Sequence, residues 1–157
     1  MKAEGTYTKK DFLREAAQIP GIYVPSLYEI TYHEDGTIAS VTPKDGAPAK
    51  VTKRIIQDMS AVRYPETFIV PYMETVHDRA VLEAMRGCIR GCRFCQAGFI
   101  YRPLRAKTPD VLCGQAKLLC DSTGYDELSL SSLSTSDHPQ VEELLNRIID
   151  YTDEKKI

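Results

Sequence analysis

The stretch VLEAMRGCIRGCRFCQAGFIYRPLRAKTPDVLCGQAKLLCDSTGYDELSLSSL, residues 81–133, carries the pattern that decides the fold. Its apolar first five residues, 81–85, predict a short strand, and a cysteine-rich loop follows. Thr108 is placed to cap a helix that Pro109 opens. In ELSLSSL, residues 127–133, leucine and serine alternate and predict a second strand.

The helix between these strands has one apolar face, and Gly124 suits its exit. That face comprises Leu112, Cys113, Ala116, Leu119 and Cys120. A second helix is predicted after the second strand, with Asp137 as its cap and Pro139 at its first position. Its predicted apolar face comprises Val141, Leu144, Leu145 and Ile148. This order of elements indicates an α/β fold with parallel strands and right-handed crossovers, as in an α/β barrel or a doubly wound sheet.

The region before this stretch, residues 1–80, is predicted to be a small α+β linker region. Apolar side chains at helical spacing predict a short helix over residues 9–17. Alternating residues on both sides of an Asp35-Gly36 turn predict a β-hairpin. The rest consists of loops and short elements without an assignment, so the sequence places the domain boundary between residues 80 and 81.

The composition is that of a globular domain or a piece of one. The chain has 157 residues, 43% of them hydrophobic and 27% charged, with a net charge of −2. These values exclude a disordered chain and do not indicate a general nucleic-acid binder. No apolar run reaches the roughly 18 residues of a membrane span, and the N-terminus lacks the apolar core of a signal peptide. A cytoplasmic location with no membrane partner is therefore predicted.

Three of the five cysteines lie within eight positions, at Cys88, Cys92 and Cys95, in the spacing C-x3-C-x2-C. An odd number of clustered cysteines favours metal binding or redox chemistry over a secreted disulfide framework. Gly87 and Gly91 argue against a continuous helix, since each costs up to about 1 kcal/mol there relative to alanine. The sequence therefore predicts a compact loop in which neighbouring thiolates bend around one object.

The number of cysteines constrains the kind of metal site. A closed structural zinc site takes four ligands, and a [4Fe-4S] cluster usually takes four cysteines. No candidate for a fourth ligand has zinc-finger spacing to the trio; the nearest are His77, Cys113, Cys120 and His138. Three ligands and an open position are the arrangement of a reactive site.

The spacing C-x3-C-x-aromatic-C, with Phe94 as the aromatic residue after the first strand of a β/α unit, resembles the signature loop of the radical S-adenosylmethionine (SAM) enzymes. The resemblance implies that Cys88, Cys92 and Cys95 hold three irons of a [4Fe-4S] cluster. SAM then binds the fourth iron, and an electron from the cluster cleaves it to methionine and a 5′-deoxyadenosyl radical. Phe94 is expected to pack against the cluster and shield it.

Four segments, residues 19–38, 70–80, 80–110 and 124–138, are similar to an uncharacterised bacterial radical SAM family whose members often carry an upstream cobalamin-binding-like domain. The resemblance implies a partial (β/α)6 barrel, of which residues 81–157 supply about two units. The chain is therefore expected to be an N-terminal fragment of such an enzyme, without the C-terminal part of the barrel and inactive alone. Cobalamin is a further cofactor of the full-length protein if the upstream domain is present.

The resemblance also implies the remaining partners and contacts. The enzyme is expected to be an oxidoreductase or transferase with an electron donor such as flavodoxin or ferredoxin, while its substrate is open. Ser131, Ser132 and Ser134 are candidate SAM contacts, because strand C-terminal ends face the active site in barrels. The Gly-Gly-Glu-like run common in related enzymes is missing there, and the alternative is that these hydroxyls bond nearby backbone.

Residues 85–109 form a local cationic field without any Asp or Glu. Its cations are Arg86, Arg90, Arg93, Arg102, Arg105 and Lys107. They indicate either a site for an anionic cluster, carboxylate or phosphate, leaving room for an RNA substrate, or a solvated basic loop. Arg86, Arg90 and Arg93 are the candidates for stabilising the cluster.

Other readings of the cysteines stay open. The main alternative is a non-catalytic structural zinc or iron-sulfur binding module, which would hold its metal without any effect of SAM. A further alternative is a redox sensor. Cys113 and Cys120, on the apolar helix face, are predicted to act as small hydrophobic residues, and His77 and His138 are predicted to be structural.

Overall fold

In the computed structural model, which describes residues 7–155, the chain divides between residues 55 and 56 into two units. The first unit begins with helix α1, Lys9–Ala16. Thr8 caps it: the Thr8 hydroxyl accepts from the Asp11 N–H, and the Asp11 carboxylate accepts from the Thr8 N–H at 2.9 Å. The predicted helix over residues 9–17 is confirmed, with local capping as its physical basis.

The predicted hairpin is confirmed as strands β1, Tyr28–Tyr32, and β2, Ile38–Pro43, which pair antiparallel. The Asp35 carboxylate accepts from the Thr37 N–H at 2.9 Å and from the Thr37 hydroxyl at 2.7 Å, which stabilises the turn. Small and aliphatic residues form the core of this unit. They are Ala17, Val24, Leu27 and Ala47, with Leu13 and Tyr28 packed against them.

The second unit contains the strands and helices that the opening stretch predicts. Strand β3, Ala80–Glu83, pairs parallel with strand β6, Leu128–Ser131, and helix α3, Pro109–Thr123, connects them. Helix α4, Val141–Lys155, follows. The parallel pairing of two β/α units is confirmed. In residues 7–155 the parallel sheet has these two strands, so the structure is a mixed α/β fold without a barrel in the described part.

Short elements lie between β3 and α3. Strand β4, Met85–Arg86, pairs antiparallel with strand β5, Arg105–Ala106. A single helical turn, α2, Ala97–Ile100, lies between them in sequence. The β4–β5 pair closes the base of the segment 87–104, which we call the cysteine loop.

Helix α3 follows the local signals closely. The Thr108 hydroxyl accepts from the Val111 N–H at 3.4 Å, Pro109 is at the first turn, and Gly124 ends the helix with a φ of 73°. Most of the predicted apolar face is buried, with Cys113 half-buried. The central cluster around it is Ala80, Leu82, Ala84, Leu112, Ala116, Leu119, Cys120 and Leu144.

Helix α4 differs from its prediction in two respects. It begins at Val141, so neither Pro139 nor Asp137 has its predicted place; Asp137 ends a short 3-10 turn, Thr135–Asp137. The Asp137 carboxylate binds Arg90 instead of capping the helix. On the predicted apolar face Leu144 is fully buried, but Leu145 is 42% exposed. The burial of Leu145 was therefore wrongly predicted, because α4 packs through a narrower stripe than its sequence allows.

The segment 56–79, which the sequence left without an assignment, belongs to the second unit. Met59 is buried, and Tyr64 and Phe68 pack against the central cluster. The Ser60 hydroxyl accepts from the Thr108 N–H at 3.0 Å. The compact unit thus begins at residue 56, before the motif boundary at 80/81.

One buried hydroxyl in this core leads to a stability prediction. The Tyr151 hydroxyl on α4 is buried, and its hydrogen-bonding neighbour in the described part of the chain is the Cys120 thiol, a weak donor and acceptor. Burial raises the pKa of Tyr151 to about 12, and burial also raises the pKa of the nearby Cys120 thiol. A buried unsatisfied polar group costs roughly 1–3 kcal/mol, and a thiol offsets only part of that cost, so Tyr151→Phe is expected to raise the free energy of unfolding by about 1 kcal/mol at pH 7.

The pH dependence has a defined sign. Because the folded-state pKa of Tyr151 lies above its unfolded value, the folded state binds more protons above about pH 10, and stability falls as pH rises through that window. Urea unfolding at pH 7 and pH 10.5 should show a smaller alkaline loss for Tyr151→Phe than for the unmodified chain. Tyr72→Phe, at a fully exposed tyrosine, is the control and should change neither value. Destabilisation by Tyr151→Phe would mean that the Cys120 thiol satisfies the hydroxyl, and would contradict the prediction.

Candidate cysteine-loop site

The cysteine loop starts where the parallel sheet ends. It follows β3 and β4 directly, and the Lys107 N–H donates to the Ala84 carbonyl at 3.0 Å below the β4–β5 pair. On the neighbouring strand, the Ala84 N–H donates to the Ser131 carbonyl at 3.0 Å. The loop and the segment after β6 therefore lie at the carboxyl edge of the same parallel pair, where α/β folds place their ligands.

Two glycines allow the loop to pack tightly on itself. Gly87 has a φ of 93°, and a Cβ there would lie 2.5 Å from the Tyr101 carbonyl oxygen and 2.6 Å from that of Pro103. A Cβ at Gly98 would lie 2.8 Å from the Arg90 carbonyl oxygen. At both positions the backbone of another part of the loop occupies the space that a side chain would need.

The Arg102 guanidinium binds carbonyls of the loop from within. Its Nε donates to the Gly98 carbonyl at 2.6 Å, and a terminal nitrogen donates to the Arg90 carbonyl at 3.1 Å and the Ile89 carbonyl at 3.5 Å. The same guanidinium lies 5.5 Å from the centre of the Phe99 ring. Arg102 thus satisfies carbonyls of a loop that has little regular secondary structure.

All three cysteines of the loop are free thiols. Cys88 is half-buried, and its Sγ accepts from the Arg90 N–H at 3.4 Å. Cys95 is also half-buried, and its N–H donates to the Cys92 carbonyl at 3.1 Å. Cys92 is exposed. A turn over residues 92–95 therefore carries two of the thiols, and the third, Cys88, accepts a bond from the backbone two residues later.

The thiols do not converge on a single point. Within residues 7–155, no three His, Cys, Asp or Glu side chains lie close enough to hold one metal ion. A structural zinc ion needs four ligands on one centre, so this arrangement does not match a mononuclear zinc site. Iron-sulfur clusters are held by cysteine thiolates, which is the type of donor that this loop carries.

Phe94, between Arg93 and Cys95, is 93% exposed. Several other large apolar side chains of the loop are also exposed, namely Ile89, Phe99, Ile100 and Tyr101. Phe94 therefore packs against nothing within the described chain, and its shielding of a cluster stays a prediction.

Arg90 and Asp137 form an ion pair between the loop and the segment after β6. Arg90 Nε lies 2.8 Å from one Asp137 carboxylate oxygen, and a terminal nitrogen of Arg90 lies 2.5 Å from the other. The Ser134 hydroxyl donates to the same carboxylate at 2.8 Å. The bond from Arg90 holds the pKa of Asp137 below its usual range, with the Ser134 bond as a second cause.

The predicted serine contacts lie in this segment, with different partners. Ser131 is exposed at the end of β6. The Ser132 and Thr135 hydroxyls are 2.7 Å apart. The Ser132 and Ser134 hydroxyls thus bind neighbouring side chains rather than nearby backbone, which was the alternative prediction.

Most side chains of the cationic field form hydrogen bonds or ion pairs with other residues of the protein. Arg86 makes two bonds to the Glu83 carboxylate, at 2.6 and 2.9 Å. Arg105 donates to the Pro103 carbonyl at 3.0 Å and the Ile56 carbonyl at 3.2 Å. Arg93 is exposed and has no partner among the residues that the structure describes. Arg86 and Arg90 are therefore neutralised by carboxylates, which leaves Arg93 as the exposed cation beside the thiols.

Lys107 is a buried cation at the base of the loop, with 4% of its surface exposed. Its Nζ donates to Gln115 at 3.0 Å and lies 5.3 Å from the centre of the Tyr64 ring. Desolvation by burial lowers the pKa of Lys107. This residue therefore packs into the core instead of presenting its charge to a ligand.

His138 is buried, and both of its ring nitrogens form hydrogen bonds with backbone groups. Nε2 donates to the Lys107 carbonyl at 3.0 Å, and Nδ1 accepts from the Gln140 N–H at 3.1 Å. His138 is structural, as its place in the sequence predicts. Burial raises the pKa of the Cys113 and Cys120 thiols, which agrees with their predicted role as small hydrophobic residues.

No family model, curated protein or solved structure matches this chain. None of the helices in the described part of the chain has the length and apolar character that crossing a membrane requires.

Two residues of the site escaped the sequence analysis. Asp137 was assigned to a helix cap, although a cationic stretch without carboxylates is itself a signal that partners come from elsewhere. Arg102 was counted as part of a charge field, whereas it organises the loop backbone. Both functions depend on contacts that local sequence patterns do not encode.

Proposed function

We propose that this chain forms the opening of a radical SAM enzyme core and binds a [4Fe-4S] cluster through Cys88, Cys92 and Cys95. The observation that carries the proposal is the placement of three free thiols on one tight loop at the carboxyl edge of a parallel β/α pair. When bound together, the reduced cluster and SAM supply a 5′-deoxyadenosyl radical. The (β/α)6 barrel is proposed as the complete fold.

The residues of the loop have distinct tasks in this proposal. The thiolates of Cys88, Cys92 and Cys95 would each hold one iron of the cluster, and the turn at 92–95 would position the last two. Gly87 and Arg102 keep the loop in its compact shape. Phe94, which is exposed, covers the cluster and excludes water, since hydration alters the reduction potential of such clusters.

The segment after β6 is proposed to bind the polar part of SAM. Ser131, Ser132 and Ser134 provide hydroxyl donors and acceptors there, next to the strand end that adjoins the loop. Arg93 is the exposed cation nearest the thiols in sequence, and it favours an anionic cluster and the SAM carboxylate.

The reaction beyond SAM cleavage is proposed only by class, an oxidoreductase or transferase reaction on an open substrate. The electron would come from a donor such as flavodoxin or ferredoxin in the cytoplasm. RNA as substrate and cobalamin as a further cofactor are proposals for the full-length protein.

The test is anaerobic reconstitution of the 157-residue chain with iron and sulfide. We expect about four irons per chain, as in a [4Fe-4S] cluster, and a reduced electron paramagnetic resonance spectrum that SAM perturbs. Cys92→Ala should lose most of the iron and the spectrum. Cys113→Ala, which removes a half-buried thiol outside the loop, should keep both.

Two outcomes would overturn the proposal. Stoichiometric zinc that resists replacement in a folded sample would favour a non-catalytic structural module. A folded chain that binds iron equally well with and without Cys92 would remove the loop as the cluster site. Circular dichroism of each sample establishes that the chain is folded.

A further inference from the structure

Arg90 forms hydrogen bonds with several parts of the cysteine loop. Its N–H donates to the Cys88 Sγ at 3.4 Å, and its carbonyl accepts from Arg102 at 3.1 Å. The missing side chain of Gly98 lets that carbonyl come close to the α2 turn. The position of Arg90 is thus coupled to one thiol directly and to the rest of the loop through two neighbours.

The side chain of Arg90 connects this point to a distant part of the sequence. Its two bonds to Asp137 span 47 residues, whereas Arg102 and the β4–β5 pair connect the loop to itself. Two parallel N–H···O bonds fix both distance and orientation, which a single contact does not. The pair therefore connects the outer part of the loop to the segment after β6, in addition to the backbone bond at the base of the loop between the Ala84 N–H and the Ser131 carbonyl.

Asp137 is suited to transmit that position. The Asp137 side chain is 7% exposed, whereas the Arg90 side chain is 62% exposed. Neighbouring residues therefore cover most of the Asp137 carboxylate. The same carboxylate accepts the Ser134 hydroxyl at 2.8 Å. One carboxylate thus binds both the cysteine loop and a serine of the proposed SAM segment.

We propose that Arg90 and Asp137 are a positioning pair that holds the cysteine loop and the serine-containing segment 131–137 in fixed relative places. The inference rests on the proposed function for what the two segments bind, but the coupling between them is a property of the chain without cofactors. If the pair has this role, its loss should weaken SAM binding at the serine-containing segment more than it weakens iron binding by the cysteines.

The first test measures the coupling in the chain without cofactors. We expect Arg90→Gln and Asp137→Asn each to raise amide hydrogen exchange in both segments, and alkylation of Cys88, by roughly fivefold, the upper range for a partly exposed ion pair. Arg147→Gln removes an arginine that forms an ion pair with Asp110 outside both segments, and it should leave both rates unchanged. The double variant Arg90→Asp with Asp137→Arg, which reverses the ion pair, should bring both rates part of the way back to those of the unmodified chain.

The second test uses the reconstituted chain. Arg90→Gln and Asp137→Asn should keep most of the iron that Cys92→Ala loses. The SAM concentration for half of the spectral change should rise roughly fivefold, reflecting the loss of the same pair. Arg90→Lys, which keeps the charge but cannot form two parallel bonds, should give an intermediate value.

The outcomes separate the two proposals. If the cofactor-free chain shows the coupled increase in exchange but binds no iron, the positioning pair stands and the proposed function fails. If the unmodified chain binds iron and responds to SAM but the Arg90 and Asp137 variants match Arg147→Gln in every measurement, the positioning pair is overturned and the proposed function stands.

Discussion

Gly87→Ala is expected to destroy the compact shape of the cysteine loop. A residue with a side chain in the left-handed region costs about 1–2 kcal/mol, and the φ at this position is 93°. The added Cβ would also lie 2.5 Å from the Tyr101 carbonyl oxygen and 2.9 Å from the Leu104 Cα. Because these neighbours are backbone atoms, no side-chain rotation relieves the clash, and the total loss should reach about 3 kcal/mol or more.

The measurement is amide hydrogen exchange over residues 87–104, together with the alkylation rates of the three thiols. Both should rise towards the values of an unfolded segment, and the iron content after reconstitution should fall as far as it does in Cys92→Ala. The rise in exchange should be largest where the β4–β5 pair closes the loop, since Gly87 directly follows that pair.

Gly91→Ala is the matched control, because it adds the same methyl group to the same loop. No atom lies within 4 Å of the Cβ position at Gly91, and its backbone is outside the left-handed region. This variant should exchange and alkylate like the unmodified chain. Equal effects of the two substitutions would contradict the close packing of the loop described above.

The elements that the sequence predicted well are those with local causes. Helix α1 has a capping box at Thr8, and α3 has Thr108, Pro109 and Gly124 at its ends. The hairpin has a turn that its own side chains stabilise. In each case the deciding interactions lie within a few residues, so the pattern in the sequence contains them.

The errors have a common cause in long-range contacts. Asp137 is a residue type that often caps helices, and it lies just before a predicted helix. Arg90, 47 residues earlier, binds its carboxylate, and α4 starts at Val141 instead. Strands β4 and β5 have two residues each, too few to show a periodicity. Met59 and Ser60 join the second unit through contacts that no local signal announces.

The candidate site divides in the same way. The three cysteines follow from spacing alone, because the signature is contiguous. The pairing of Arg90 with Asp137, and the binding of loop carbonyls by Arg102, need the folded backbone. Sequence reasoning thus names the thiols that we propose as cluster ligands, whereas the structure shows the contacts that hold the loop around them.

Leu144→Ala is expected to lower the free energy of unfolding by about 2–5 kcal/mol, the range for removing a fully buried leucine. Leu144 is fully buried in α4 and belongs to the central cluster with Leu82 of β3 and Leu112 of α3. Native domains are stable by only about 5–15 kcal/mol, so this loss could remove half of the total. Urea unfolding followed by circular dichroism measures the difference.

Leu145→Ala is the matched control, one position further along the same helix and 42% exposed. It changes helix propensity and side-chain volume in the same way, so the difference between the two variants isolates burial. An exposed substitution of this kind should change stability by no more than about 0.5 kcal/mol. If both variants lost equal stability, α4 would have to bury the wider face that its sequence predicts, and the packing of α4 on α3 would be wrong. If only Leu144→Ala does, the second β/α unit is held by a narrow stripe, and the segment 131–137, which leads into α4, takes its place from that contact as well as from the Arg90–Asp137 pair.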